Sequence, residues 1–355
     1  MSGRVLVTGV ADRLGGEVAR RLEDLAQVEA IIGVDLREPV VPLVRTEFVH
    51  ADTRHSVLAK MVRELQVDTV VHCAVTVSSP GSARAVHETD VIGTMNVLAA
   101  CAGESSPVNR LVVKSSVAIY GAAPDDPSFM REEMGERASG RSPLARDLLE
   151  MEQMVEEFGI RNPAVTTTVL RLGHRFATRD QGPLARYFAL PSVPTTFGFD
   201  PRLQFLHEED AVEALLRSAL ADHNGVYNVA GDGIVLLSQA IHMAGRRQVQ
   251  VLPPYGRAAG RLALKLLTGV ELPAHVADFL VYGQVVDCSR LQAEFGWRPG
   301  YDTRSAMMDF VRRSREEAAE EPVSPPQERE LQLYIQRRRR RAQLPAHERA
   351  REASN

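Results

Sequence analysis

The 355-residue chain is 44% hydrophobic and 25% charged, an ordinary globular composition that suffices for one large or two modest domains around a sizeable core. Its net charge of −4 does not mark a nucleic-acid binder. Three widely separated cysteines, Cys73, Cys101 and Cys288, offer neither a disulfide framework nor metal-ligand spacing, and no apolar run reaches the ~18 residues that span a bilayer.

The first half alternates short β-branched runs with helical patterns. Residues 4–8 (RVLVT) read as a strand and 14–25 as a helix, with Val18, Leu22 and Leu25 at helical spacing. Strands follow at 30–35 and 47–49, a helix at 55–65, a strand at 69–73 and a long helix at 83–102. Residues 110–115 form a fifth strand, 143–158 a helix and 165–170 a sixth strand. Strands that are apolar without alternation suit a sheet covered on both faces. The strand–helix order makes it a parallel, doubly wound α/β sheet. Beyond residue 172 the pattern loosens into a helix at 208–220, a strand at 226–229, helices at 237–244, 258–267 and 274–282, and a last ordered helix at 303–315. Residues 316–336 then carry six Glu against one Arg, and 337–355 seven Arg against two Glu. This charged segment reads as a disordered or helical tail. Its run Arg337–Arg341 reads as solvated charge or as a nonspecific contact for RNA, DNA or anionic lipid, with Tyr334 the sole aromatic beside it. The N-terminus enters its first strand without a signal-peptide pattern, so a cytoplasmic location is expected.

The turn Thr8-Gly9-Val10-Ala11-Asp12-Arg13-Leu14-Gly15-Gly16 joins the first strand to the first helix. Such a glycine-rich turn lets backbone N–H groups approach a diphosphate at a helix N-terminus, although a tight structural turn explains the glycines as well. Asp12 stands where the middle glycine of the pattern belongs, a like-charge neighbour for a phosphate. Either its side chain caps the helix or Arg13 neutralises the phosphates. Asp35 ends the second strand twenty residues after Gly15. A carboxylate there accepts ribose hydroxyls and repels a 2′-phosphate, which favours NAD over NADP, with Arg37 softening the preference. Gly9, Asp12, Arg13, Leu14, Gly15, Asp35 and Leu36 are therefore cofactor-site candidates. Asp52 and Thr53 follow the third strand, where they meet an adenine edge or cap the next helix.

At this point the residues resemble a family, the extended short-chain dehydrogenase/reductases of the NAD-dependent epimerase/dehydratase group. Thr8 to Gly15 is similar to its TGxxGxxG turn, and His72-Cys73-Ala74 to its fourth-strand HxA segment. Asp90 to Asn96 resembles NVxGTxN, Ser115 to Gly121 resembles SSxxVYG, and Phe205 to Ala211 resembles FVHVDDVA. Tyr227 to Gly231 resembles YNIGG, and Phe295 to Pro299 resembles LGWxP. Within the family the likeness is closer still to an actinobacterial subgroup labelled UDP-glucose 4-epimerase-like, and the 39 arginines left after three lysines among 42 basic residues suit such a source. The resemblance implies a Rossmann-like NAD-binding domain over residues 1–172, a smaller mixed α/β substrate domain over 173–315 interleaved with it, and the tail 316–355. It adds Cys73 and Ala74 to the cofactor site, and it implies a nucleotide-sugar or other phosphorylated ligand and a homodimer built on a four-helix bundle.

In this family a Tyr-xxx-Lys pair and a Ser or Thr do the chemistry. Ser116 matches the Ser/Thr position. The helix that carries the pair reads SPLARDLLE, which puts Ser142 at the tyrosine and Arg146 at the lysine. A serine hydroxyl is a far weaker acid than a phenol, whose pKa is about 10. Arg146 stays charged and holds ribose hydroxyls or a phosphate. His72, His174 and His207 are the nearest replacement acid/base groups, with His174 and Arg175 at the substrate mouth. Arg171, Arg175, Arg179, Arg186 and Arg202 gather in the substrate half, where guanidinium forks match diphosphate oxygens. Three readings follow: an NAD-dependent sugar-nucleotide enzyme whose acid/base pair is replaced, a catalytically silent NAD-binding sensor or scaffold, or, least favoured, a nucleic-acid or membrane binder driven by the tail.

Overall fold

The computed structural model describes residues 3–75, 83–103, 105–127, 129–134, 142–176, 182–251, 265 and 269–320. The expected helix at 258–267 lies outside them apart from Lys265, as do Arg179 and the tail beyond residue 320. Met1–Val311 forms one compact unit and Arg312–Asn355 a second.

In chain order the first part runs β1 (Gly3–Thr8), α1 (Arg13–Glu23), β2 (Val28–Asp35), β3 (Thr46–His50), α2 (Val57–Glu64), β4 (Thr69–His72), α3 (Ala83–His87), α4 (Gly93–Cys101), β5 (Arg110–Ser116), α5 (Pro143–Arg161) and β6 (Thr166–Leu172). There follow β7 (His174–Arg175), α6 (Pro183–Ala189), β8 (Ser192–Thr196), β9 (Arg202–Leu203), β10 (Phe205–Leu206), α7 (Glu208–Leu220), β11 (Gly225–Val229), β12 (Val235–Leu236), α8 (Leu237–Met243), β13 (Arg247–Val251), α9 (Ala274–Tyr282), α10 (Ser289–Phe295) and α11 (Thr303–Glu320).

The main sheet has seven strands in the order β11-β6-β5-β4-β1-β2-β3. Every pairing in it is parallel. The fold is the expected Rossmann-like α/β sheet, and it is covered on both faces because its strands are apolar on both. Val5, Val7, Val71 and Val112 pack with Val18 and Leu22 of α1 and with Val212 and Leu215 of α7. Leu6, Val70, Leu111 and Val113 face Leu58 of α2, Val97 of α4 and Leu148 of α5. A third core of Phe176, Phe188, Phe205 and Phe279 gathers the short C-terminal elements. The chain leaves β1 outward through β2 and β3 and returns as β4 on the other side of β1. That reversal opens a crevice beyond the carboxyl ends of β1 and β4, the place where such sheets bind ligands.

The long helix expected over 83–102 is interrupted. A π-turn, Glu88–Ile92, separates α3 from α4. The Thr94 hydroxyl donates to the Asp90 carbonyl at 2.5 Å just after it. Residues 208–220 and 274–282 form helices with the expected bounds.

Candidate functional site

The crevice is built around the β1–α1 turn. Gly9 has φ +77° and its N–H donates to the Val34 carbonyl at 2.9 Å. A Cβ there would stand 2.7 Å from the Ala74 nitrogen, so only glycine lets the turn lie against the end of β4. A Cβ on Gly15 would strike the Gly9 carbonyl, so the first turn of α1 also sits directly on the loop. The N–H groups of Arg13, Leu14 and Gly15 belong to that first turn and have no carbonyl within the helix to bond. The Asp12 side chain does not cap them. The result is a set of outward N–H groups at the positive end of a helix, a cradle for an anion.

Asp12 does not take the capping route. Its carboxylate pairs instead with Arg37 at 3.1 Å, on the surface. Arg13 turns away and pairs with Glu208 of α7 at 3.1 Å. Asp35 reaches across to the turn. Its Oδ2 accepts the Ala11 N–H at 3.0 Å, and its Oδ1 accepts those of Leu36 at 2.7 Å and Arg37 at 3.2 Å. Leu36 itself is exposed. Asp52 does not cap α2, whose N-cap is Ser56. Arg54 binds it through Nε and Nη2, the latter at 2.6 Å, and holds its carboxyl below the ordinary range. Thr53 is buried, and a Cβ on Gly93 would come within 3.1 Å of its hydroxyl.

His72 is sealed beneath the crevice. The Thr94 hydroxyl gives its proton to Asp90, so His72 Nε2–H donates to Thr94 at 3.0 Å. Nδ1 then accepts from the Thr8 hydroxyl at 2.7 Å. Burial, and then the nearby Lys114 charge, push its pKa down to about 3. It is a neutral structural group. His207 is the N-cap of α7, accepting the Glu209 N–H through Nδ1 and meeting Asp309 through Nε2 at 2.9 Å. His174 stacks on Phe279 at 3.8 Å and donates through Nε2 to Gln284 at 3.1 Å, and burial lowers its pKa to about 4. His72 and His174 are neutral near pH 7, and all three imidazoles are committed to structural bonds.

Ser116 ends β5 and accepts the Ala118 N–H at 3.1 Å. Ser142 accepts the Ala145 N–H at 3.0 Å and caps α5, ahead of Pro143. Arg146, one turn on, is exposed. Among the described residues its side chain makes no hydrogen bond or ion pair. Of the arginines grouped by sequence, Arg171 is not available to a ligand. It is buried, pairs with Glu152 of α5 at 2.6 Å, and donates to the Tyr120 hydroxyl at 2.8 Å and the Glu132 carbonyl at 2.6 Å. Arg186 and Arg202 are exposed, and Arg175 is half-buried. Cys73 closes the end of β4, and burial lifts its thiol to about 11. Cys73, Arg175 and Asp12 share an electrostatic neighbourhood with a residue that sequence reasoning passed over, Lys114 of β5. Its signal was one of only three lysines, set in an apolar strand. No group of three His, Cys, Asp or Glu among the described residues is arranged to hold a metal ion. No helix among them is long and apolar enough to cross a membrane.

Comparison with known proteins agrees with this geometry. The NAD dependent epimerase/dehydratase family matches residues 5–230. An uncharacterised protein of Mycobacterium tuberculosis (strain ATCC 25618 / H37Rv) is 39% identical over 314 residues, 87% of this chain and 83% of that one. Among solved structures, UDP-glucose 4-epimerase of Thermotoga maritima with UDP-glucose is similar with a TM-score of 0.67 at 19% identity, over 89% of this chain and 99% of that one. The dTDP-glucose 4,6-dehydratase of Bacillus anthracis with NAD also reaches 0.67, at 16% identity over 89% and 97%. A Bordetella bronchiseptica enzyme with NAD and UDP reaches 0.65, at 18% identity over 89% and 95%.

Proposed function

The chain belongs to the NAD-dependent epimerase/dehydratase family, and from that premise we propose that it binds NAD in preference to NADP and takes a nucleotide sugar or similarly phosphorylated ligand into the same crevice. The observation that carries this reading is Asp35, whose carboxylate is held beside the glycine turn and its outward N–H groups. The residues fit a dinucleotide. The first turn of α1 suits a diphosphate. A carboxylate has about four acceptor sites, and Asp35 uses two on Oδ1 and one on Oδ2, which leaves Oδ2 one site for a ribose hydroxyl. A 2′-phosphate would meet that carboxylate, while the nearest cation, Arg37, is engaged by Asp12. The nucleotide sugar is supported by the solved relatives, which hold UDP-glucose or UDP beside this fold.

When bound, the dinucleotide supplies a hydride acceptor. Ser116, its oxygen fixed by Ala118, keeps a proton to donate to a reacting oxygen. Ser142 does not replace the family's tyrosine as a base: its oxygen is committed to the α5 cap and its hydroxyl is weakly acidic. Arg146 is left as a binding cation at the edge. We read residues 173–315 as the part that closes over the substrate, a homodimer as the working form and the cytoplasm as its place.

Nucleotide identification in the supernatant of denatured protein, titration calorimetry with NAD and NADP, and a sugar-nucleotide panel test this reading. NAD is expected to bind at least tenfold more tightly than NADP. No binding of either at millimolar concentration rejects the cofactor. Bound NAD without turnover, and no gain in a Ser142→Tyr, Arg146→Lys double variant, rejects the enzymatic part.

A further inference from the structure

Lys114 is buried one residue past the last β4–β5 pair, beside the end of β4. We propose that Lys114, with Arg175, is a ligand-binding residue whose ammonium group contacts the diphosphate of the bound dinucleotide. This inference rests on the reading that the crevice takes such a cofactor.

Val113 pairs with His72, the last residue of β4, so Lys114 stands one residue beyond that pair, at the level of Cys73. It pairs with Leu170 of β6 on its other side. Its side chain is 5% exposed. Among the described residues it makes neither a hydrogen bond nor an ion pair. Lysine is almost never buried so deeply unless it is paired. A general taste for lysine does not explain it, since the chain has three lysines among 42 basic residues. A position that merely filled space in this strand would suit an aliphatic side chain.

The groups that face it come from every side of the crevice. Cys73 follows β4, Asp12 lies in the glycine turn, Asp90 lies in the π-turn and Arg175 lies on β7. His72 also feels its charge. The Cys73 thiol and the His72 imidazole are neutral near pH 7, the first raised to about 11 and the second lowered to about 3. Asp12 is engaged by Arg37. The side chain of Arg175, like that of Lys114, makes no hydrogen bond or ion pair among the described residues. Asp90 is a buried carboxylate whose pull on Lys114 is the smallest of these influences. The side chains of Lys114 and Arg175 thus add two cations to the neighbourhood of Asp12 at the N-terminus of α1, an arrangement that suits a dianion. Lys114 also resolves the difficulty of Asp12. A carboxylate in the turn repels an incoming phosphate, and a nearby ammonium offsets that repulsion.

In the free protein, burial foremost draws the pKa of Lys114 below its ordinary value. An arriving diphosphate favours the charged ammonium. Binding therefore takes up protons wherever the free amine is partly neutral, and affinity weakens as pH rises.

The test is NAD titration by calorimetry on full-length protein at pH 7 to 9.5, in buffers of different ionisation enthalpy, with Lys114→Met and Lys114→Gln beside the wild type. Charge-assisted hydrogen bonds predict a Kd weakened roughly tenfold to a hundredfold in both variants. The urea midpoint of ligand-free Lys114→Met is expected to equal or exceed that of the wild type, because an unpaired buried amine has been removed. Proton uptake and the pH dependence of Kd are expected to shrink in both variants. Equal NAD affinity in wild type and variants overturns the inference. So does a Kd weakened no more in Lys114→Met and Lys114→Gln than in a variant of a surface lysine, Lys60→Met. Failure of the wild type itself to bind NAD is the failure of the underlying reading and takes this inference with it.

Discussion

The Ser142 hydroxyl opens α5 by accepting the Ala145 N–H, and Pro143 behind it supplies a preset first helical φ. The oxygen of Ser142 is thereby engaged as a helix cap. Ser142→Ala is expected to cost about 1 kcal/mol in urea denaturation. Ser142→Tyr loses the same cap, so any activity it restores must be assayed well below its lowered transition. A second residue-scale effect is pH dependence. His72 has a folded pKa of about 3, below the ~6.5 of an unfolded histidine. The unfolded chain therefore binds the extra proton, and this contribution is complete above about pH 6.5 and lost as pH falls toward 3. At pH 5 the loss is about 2 kcal/mol. His174 and His275 are lowered in the same direction, by burial first. Denaturation midpoints at pH 7.5 and 5 should converge in His72→Asn relative to the wild type. An identical pH slope in both proteins contradicts the assignment of a buried neutral imidazole.

At the scale of elements, the pair Arg171–Glu152 fastens α5 to β6, and Ser115 donates to the same carboxylate from β5. Both partners are buried, so neutralising one strands the other. Glu152→Gln is expected to destabilise by about 3–5 kcal/mol in chemical denaturation. A loss under 1 kcal/mol would show that water reaches Arg171. This pair also marks the limit of what sequence reveals. An arginine count placed Arg171 among ligand cations, and nothing in spacing says that it faces a glutamate nineteen residues earlier. The strands β1, β2, β4, β5 and β6 were legible because runs such as RVLVT and TVVH are apolar on both faces. The helices α7 and α9 were legible by period. The paired strands β8 and β13, SVPTT and RQVQV, were not, because they lie outside the main sheet and carry no apolar run. The seven-residue helices α6 and α10 span about two turns each and were not legible, although the equally short α8 was. The π-turn hides inside a continuous helical pattern. In the site, Gly9, Gly15 and Asp35 were legible from local spacing. The Asp12–Arg37 pair and the charged neighbourhood of buried Lys114 depend on partners across the fold.

At the scale of the molecule, the glycine turn is tied to a late part of the chain. Arg13 pairs with Glu208, so α7 holds the first turn of α1. β11, which follows α7, completes the sheet against β6. Local unfolding of these late elements would thus disturb the cofactor cradle, and NAD should stabilise residues 1–311 as one unit. At one hundred times Kd, NAD is expected to add about 2.7 kcal/mol. The charged tail should not share in this. Residues 316–336 sum to −5 (one Arg, six Glu) and 337–355 to +5 (seven Arg, two Glu), so the chain's −4 resides in residues 1–315. A chain ending at Arg315 keeps that net charge. Scanning fluorimetry should therefore give the shortened and full-length chains the same NAD-dependent rise in Tm. The salt dependence of that rise should also match if, as proposed, Lys114 and Arg175 supply the charges that meet the diphosphate. A smaller rise at low salt in the shortened chain alone would show that the basic run contributes to holding the cofactor.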